Sequence, residues 1–304
     1  MHSCFVEVDL AQAEWVVTGH LARDAQMLDV IRNDLDPHTR TGALISRAPE
    51  AFVLLENDIV GHSTDPVEIS NLRRKLPTEF NGVPIAKYFM PRNMSIRQAG
   101  KKSNHGLNYN MQYKRFALEN GMPENDANTI VNTYRNIAYP GLKTYYDFVA
   151  NSLRKNNRRL TNCYGQSRQF LDKWGNDLLD AAYAFLPQST VGNITAFAWQ
   201  AIYNDTDLQK CVDLGAQVHD SILTEHRFTS FSQLADQINS IVAYLATPFE
   251  YFAQRFVIKR EVKIGLSWGE SAMTLVPIIG RECAVVNARD VEKSWELANA
   301  AQVQ

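Results

Sequence analysis

Cysteine is scarce in this sequence and poorly spaced for chemistry. Cys4, Cys163, Cys211 and Cys283 stand far apart with no Cys-x-x-Cys pair, which argues against a zinc site and against a disulfide framework. No apolar run approaches the roughly 20 residues needed to cross a bilayer. The opening Met1-His2-Ser3-Cys4 lacks the basic-then-apolar order of a secretion signal. Both absences point to an intracellular, cytoplasmic protein without a membrane anchor. Positive charge is also missing, since the net value is -2 and a chain that grips a phosphate backbone usually carries a basic excess. Repeats and low-complexity stretches are absent. What remains is 304 residues, 45% hydrophobic and 21% charged, enough to bury one large core or two modest ones.

Any basic surface must therefore be local. From Arg92 to Arg115 there are six Lys or Arg residues and no Asp or Glu. A second cluster, Arg154-Lys155-x-x-Arg158-Arg159 with Arg168 beyond, follows. A charge run taken alone reads as a solvated face.

Periodicity predicts a short strand at Phe5-Val6-Glu7-Val8 that stops at Asp9 and enters one helix carrying Trp15, Val16, Leu21 and Leu28. Residues 46–91 hold Pro49, Gly61, Pro66, Pro77, Gly82, Pro84 and Pro91 and read as a loop-rich insertion. Helices are expected over 95–120, 142–154, 175–203 and 232–255, with a turn at Pro140-Gly141. Alternation at Val212, Leu214, Ala216 and Val218, broken by His219-Asp220-Ser221, predicts a hairpin with Asp220 at its tip. Val262, Ile264, Leu266 and Trp268 predict a half-buried strand. A closing helix follows, with Asp290 as N-cap and Val291, Trp295 and Ala298 on one side.

Two lone carboxylates thus stand at a strand end and at a hairpin tip, so distant segments could build one acidic site. Arg97, Lys101, His105 and Tyr109 recur every four residues and share a stripe on a helix, because each step drifts by only about 40°. A guanidinium, an ammonium, an imidazole and a phenol in that row suit a triphosphate at one end and a base at the other. Gly106 inside the same helix, at a cost of about 1 kcal/mol relative to Ala, suggests close approach by a backbone or a ligand.

Arg97-Gln-Ala-Gly-Lys101-Lys-Ser-Asn-His105-Gly106-Leu-Asn-Tyr109 resembles the fingers helix of family A DNA polymerases. Asp9-Leu10-Ala11-Gln12-Ala13-Glu14 resembles that family's first acidic motif and Gln217-Val218-His219-Asp220 its last. Asp36-Pro37-His38-Thr39, Tyr139-Pro140-Gly141, Thr161-x-x-x-Gly165, Gln188-Ser189 and the strand from Val262 to Gly269 fall in the family's order. The likeness covers about residues 5–270. It implies an α+β right-hand polymerase fragment with an antiparallel palm sheet and mainly helical fingers. Residues 1–14 would be a palm strand, 15–174 the fingers, 175–272 the rest of the palm, and 273–304 a C-terminal extension.

By the same resemblance Asp9, Asp220 and the Leu10 carbonyl hold two Mg2+ ions. Arg97, Lys101 and His38 bind the phosphates of a deoxynucleoside triphosphate, with Lys101 also a proton donor to pyrophosphate. Gln12, Glu14, His105 and Tyr109 complete the nucleotide site, Glu14 by blocking a ribose 2′-hydroxyl. His219, Gln188 and Arg168 touch the DNA primer-template. Phosphoryl transfer asks a protein mainly to position groups and stabilise charge. Two metal ions about 3.5–4 Å apart serve that purpose, which is why two carboxylates must converge.

Three positions depart from the family: His105 stands for Phe or Tyr, Asn110 for Gly and Ser221 for Glu. Only eight residues precede Asp9, so a second polypeptide is expected to supply the thumb and proofreading parts, as in a viral or bacterial replication enzyme encoded in pieces. Two other readings stay open: an inactive remnant that binds nucleic acid or a partner, and a single-subunit RNA polymerase, which the His-Asp-Ser triplet also resembles.

Overall fold

The computed structural model describes residues 2–269 and 272–302. Its strands are β1 (His2–Leu10), β2 (Glu79–Phe80), β3 (Val83–Pro84), β4 (Arg159–Thr161), β5 (Ser167–Gln169), β6 (Val212–Val218), β7 (Ser221–Phe228), β8 (Phe249–Tyr251), β9 (Gln254–Phe256), β10 (Arg260–Gly265) and β11 (Met273–Val276). Its helices are α1 (Ala13–Ala22), α2 (Ala25–Arg32), α3 (Pro37–Ser46), α4 (Glu50–Val60), α5 (Pro66–Arg73), α6 (Ile96–Gly106), α7 (Tyr113–Asn120), α8 (Glu124–Thr133), α9 (Leu142–Lys155), α10 (Asn176–Asn204), α11 (Phe231–Tyr244) and α12 (Ala288–Gln302). The fold is α+β, and the chain forms two compact units. One comprises Met1–Val17, Thr161–Gln166 and Pro187–Gln304; the other comprises Thr18–Leu160 and Ser167–Leu186. Among the described residues no helix is long and apolar enough to cross a membrane.

The first unit is built on an antiparallel sheet in the order β11-β10-β1-β7-β6. Side chains alternate across a strand, so β1 buries Cys4, Val6, Val8 and Leu10 on one face and carries Phe5, Glu7 and Asp9 on the other. Register keeps the apolar set together: Val6 pairs with Thr224 and Ile264, and Val8 with Ile222 and Val262. On that face α11 contributes Leu234, Ile238 and Ile241, and α12 contributes Val291 and Ala298. Each buried Leu, Ile or Val among them stabilises the unit by about 1.5–3 kcal/mol. His226 is buried on this face and is matched to Gln237 of α11, Nδ1 to Oε1 at 3.0 Å. The carboxylates of β1 fall on the opposite face by periodicity alone.

Several local expectations are corrected by the fold. The first strand begins at His2 and runs through Asp9 to Leu10. The expected helix to Leu28 is broken at Arg23, which has φ 51°, and α2 restarts where Asp24 accepts from the N–H groups of Gln26 and Met27, both at 3.0 Å. The helix expected to reach residue 255 ends at Tyr244, and a β8–β9 hairpin turns through Phe252 and Ala253 at positive φ. The half-buried strand ends at Gly265, leaving Leu266 and Trp268 exposed. Beyond it, β11 joins the sheet edge against β10. Asp290 lies within the first turn of α12, and the residue before that helix, Asn287, accepts from the Asp290 N–H at 2.9 Å. Residues 303 and 304 of the expected extension lie outside the described residues.

The second unit is helical. Its segment 46–91 contains two helices, contrary to the loop-rich expectation. Pro49 is the residue before α4 and Pro66 opens α5, positions where a missing N–H costs nothing. Phe52, Val53, Leu76, Tyr88 and Ile96 form its core. Glu56, fully buried, pairs with Arg73 at 2.7 Å and accepts from the Ile96 N–H at 2.9 Å. Arg73 also donates to the carbonyls of Pro91 and Met94. The segment therefore braces the first turn of α6.

Helices α3 and α6 meet backbone to backbone. A Cβ on Gly100 would lie 2.2 Å from the His38 carbonyl and 2.7 Å from the Gly42 nitrogen, and one on Gly42 would lie 2.8 Å from the Ile96 carbonyl. Only glycine fits at such an approach.

The longest helix, α10, contains Pro187. Proline cannot donate to the carbonyl four residues back, and that carbonyl, on Tyr183, accepts instead from the Tyr145 hydroxyl at 2.5 Å.

Candidate active site

In the first unit Asp9 is the penultimate residue of β1, paired in register with Ser221 on β7 and Glu261 on β10. The turn joining β6 to β7 is His219-Asp220, with His219 exposed at φ 54°. The Leu10 N–H donates to the Asp220 carbonyl at 3.1 Å, so the hairpin turn is tied to the end of β1. Asp9, Leu10, His219 and Asp220 are thus brought together. Burial first, then the negative charges of Asp220, Glu261 and Glu7, push the Asp9 carboxyl up to about 7, against the opposing pull of Lys263.

Ser221, in the position after Asp220, donates its hydroxyl to Glu7 Oε1 at 3.0 Å and to the Val218 carbonyl at 3.0 Å. Sequence reasoning missed Glu7 and Glu261 as neighbours of Asp9. For Glu7 the period of two in β1 carried the signal; for Glu261 the strand pairing was needed.

Gln12 occupies the tight passage from β1 into α1 at φ 52°, and its carbonyl accepts from the Val16 N–H at 3.0 Å. Glu14, half-buried, lies in the first turn of α1. Gln188 is exposed on α10, a separate element. Its neighbours Ser189 and Asn193 hold the 161–166 turn through Asn162, at 3.1 and 2.7 Å.

The acidic pair has the chemistry of a hard-cation site. Its donors are oxygens, and their mutual repulsion is what a divalent ion would relieve. Among the described residues no group of three or more His, Cys, Asp or Glu is arranged to hold a metal ion by itself. Two carboxylates are nevertheless a common share for Mg2+, which completes its shell with water and substrate phosphates.

In the second unit Ser95 caps α6, accepting from the Gln98 N–H at 3.1 Å. Arg97 and Lys101 project from this helix, Arg97 half-buried and Lys101 exposed. Arg97 Nε donates to Asp36 Oδ2 at 2.8 Å. Asp36 also caps α3, accepting from the His38 and Thr39 N–H groups and the Thr39 hydroxyl. Burial would raise its carboxyl, but the hydrogen bonds from Thr39, Arg97 and His38 hold it below the usual carboxylate range.

The close approach of α3 to α6 places His38 beside that basic row. Asn104 Nδ2 lies 3.2 Å from His38 Nδ1, and an amide nitrogen can only donate, so Nδ1 is an acceptor and the ring proton sits on Nε2. Burial lowers His38 to about 4; Asp36 opposes this, whereas Arg97, His105 and Lys101 add to it. His105, exposed, stacks on His38 with centroids 6.1 Å apart.

Tyr109 departs from the expected stripe. Helix α6 ends at Gly106, Leu107–Tyr109 form a tighter turn, and Asn110 reverses the chain at φ 66°. Tyr146 fixes that turn by donating to the Leu107 and Asn108 carbonyls. The nearest neighbours of Gly106 are side chains, with Met111 Sδ 3.2 Å from where a Cβ would stand, so the backbone approach expected there is replaced by side-chain packing. Asn104 was missed: its Oδ1 accepts from Thr41 and Tyr134, at 2.9 and 3.2 Å. A buried Asn between charged helix positions gives no distinguishing sequence signal. Arg168 is exposed on β5, its guanidinium 4.9 Å from the Phe170 ring centre.

Comparison with known proteins adds three findings. The family model for DNA polymerase family A matches residues 82–270, which takes in α6, the β6–β7 turn and β10 but not Asp9 or His38. DNA polymerase I of Borreliella burgdorferi is 22% identical over 277 residues, 88% of this chain and 25% of that protein. A solved POL domain of Pol1 from M. smegmatis, in complex with DNA primer-template and dNTP, superposes with a TM-score of 0.62 at 18% identity, over 87% of this chain and 40% of that one. The chain thus spans well under half the length of either relative.

Proposed function

The chain belongs to DNA polymerase family A, and on that premise we propose that it carries the catalytic residues of a template-directed DNA polymerase using two-metal phosphoryl transfer. The observation that carries the reading is the place of Asp220 at the end of β1, its carbonyl bonded to the Leu10 N–H and its charge acting on the Asp9 carboxyl. In this reading Asp9, Asp220 and the Leu10 carbonyl hold two Mg2+ ions. Bound there, magnesium supplies Lewis acidity to the attacking and leaving oxygens.

The protein's own groups bind and orient. Arg97 and Lys101 take the triphosphate, and Lys101 gives a proton to the departing pyrophosphate. Neutral His38 donates from Nε2 to a phosphate oxygen, and the Asp36 contact holds the Arg97 fork until the anion arrives. Glu14 excludes a ribose 2′-hydroxyl, while Gln12 and His105 line the sugar and Tyr109 stacks near the templating base. His219, Gln188 and Arg168 contact primer-template DNA. Support for these ligands comes from the M. smegmatis relative, which was solved in complex with DNA primer-template and dNTP. The unit carrying Asp9 and Asp220 is read as palm and the helical unit as fingers. A net charge of -2 gives little pull on a duplex, so the reading includes a second polypeptide that supplies the thumb and proofreading parts, inside a cell replicating DNA.

The test is primer extension with Mg2+ by the purified chain, alone and with co-purifying proteins. Metal-dependent incorporation of deoxynucleotides that disappears in Asp9→Asn supports the proposal. Normal incorporation by Asp9→Asn would overturn it, and preference for ribonucleotides would favour an RNA polymerase.

A further inference from the structure

We infer that the surface around the end of α9 and the segment following β5 is a binding site for single-stranded DNA, with Trp174 as its stacking platform. Between positions 154 and 174 stand Arg154, Lys155, Arg158, Arg159, Arg168 and Lys173, with Asp172 the one acid. Among the described residues none of the six cations forms an ion pair with a carboxylate. Arg154 donates to the Asn151 side-chain oxygen at 3.2 Å, and Arg158 to the Asp172 main-chain carbonyl at 2.9 Å. Both partners are neutral, so neither bond cancels a guanidinium charge.

Beside these cations lie apolar groups that the fold does not cover. Trp174 is 47% exposed and Leu171 is 84% exposed. The guanidinium carbons of Arg154 and Arg158 stand 5.9 and 5.8 Å from the Trp174 ring centre. That distance is the outer limit of a cation–π contact, so the contact leaves the ring available to a stronger partner. A merely solvated helix end accounts for part of the cluster, because Arg154 and Lys155 lie in the last turn of α9, where cations complement the helix dipole. It does not account for Arg158, Arg159, Arg168 and Lys173, or for an indole held among arginines.

The combination selects the ligand. Unpaired guanidinium groups meet a chain of phosphates, and an open aromatic ring meets a base. A duplex keeps its bases stacked on one another and an acidic peptide has none to offer, so the fit is to an unpaired strand. The site needs neither Asp9 nor Asp220; it rests on the proposed function only through Arg168, which that reading already places on primer-template DNA, and adds Trp174, Arg154 and Arg158 as contacts to the unpaired strand.

The test is fluorescence anisotropy of a labelled single-stranded oligonucleotide titrated with the full chain at several salt concentrations. Trp174→Ala is expected to weaken binding about tenfold, and Trp174→Phe to keep most of it. The double variant Arg154→Ala, Arg158→Ala is expected to reduce the slope of log K against log salt by about 1.4. Asp9→Asn should bind like the unaltered chain even if all incorporation is lost, which separates this inference from the polymerase reading. The inference is overturned if Trp174→Ala and the double arginine variant, both with unchanged circular dichroism, bind the oligonucleotide as the unaltered chain does. It is equally overturned if blunt duplex or a polyglutamate chain competes as well as the single strand.

Discussion

The Leu10 N–H and the Asp220 carbonyl meet at 3.1 Å, so main chain rather than side-chain packing sets where the two aspartates stand. Their carboxyl groups can then repel each other without dispersing. Burial and neighbouring negative charge both act on Asp9, an arrangement common where pKa values are tuned for function.

Asp9→Asn should therefore stabilise the metal-free chain while abolishing incorporation. The folded Asp9 carboxyl, near 7, binds a proton more tightly than the unfolded one. Its contribution to stability is present below about pH 4 and is lost as pH rises through about 7. Thermal unfolding at pH 8 should show Asp9→Asn more stable by on the order of 1 kcal/mol, with the difference vanishing at pH 4 and shrinking when Mg2+ is added.

His38 behaves in the opposite sense. Its folded value near 4 lies below the ordinary imidazole value, so its contribution is present above about pH 6.5 and is lost as pH falls through about 4. Imidazole NMR should find His38 neutral, protonated on Nε2, throughout pH 5.5–8. A ring that titrates near 6.5 would contradict the burial described for it.

Gly100→Ala should be among the most damaging single-methyl changes in the chain. Its Cβ would strike the backbone of α3, which cannot yield as a side-chain tip can, so a loss of about 3 kcal/mol or more is expected in urea unfolding. Gly192→Ala in α10 has no atom within 4 Å of its new methyl and should stabilise by about 0.5–1 kcal/mol.

Arg97→Ala should separate stability from function. The Arg97–Asp36 pair is about one-third exposed on each side, so its loss costs at most about 1 kcal/mol. If Arg97 binds the triphosphate, KM for deoxynucleotides should rise at least tenfold, and Arg97→Lys should restore the charge but not the fork geometry. An unchanged KM would remove Arg97 from the site.

The sequence carried what periodicity and ordered motifs can carry. The β6–β7 hairpin with Asp220 in its turn, the alternation of β1 and the helix at 142–155 follow from side-chain spacing, which a single strand or helix sets by itself. What escaped depends on tertiary pairing. Glu261 reaches Asp9 only through the β1–β10 register, and Asn104 reaches His38 only because Gly100 and Gly42 let two helices touch. Prolines misled in the region 46–91 because a proline that opens a helix and one that breaks it look alike without the residues packed around them. Tyr109 left the stripe because the helix ended at Gly106, a boundary set by the packing of Met111 and by Asn110 turning left-handed.

The hydroxyl of Tyr145 acts as a prosthesis for the donor that Pro187 lacks. Exchanging Tyr145 for phenylalanine would therefore register as a defect of main chain four residues upstream of Pro187, at about 1–3 kcal/mol, although no backbone atom had changed. Restoring a donor with Pro187→Ala should cancel most of that loss, making two residues remote in sequence a single unit of inheritance.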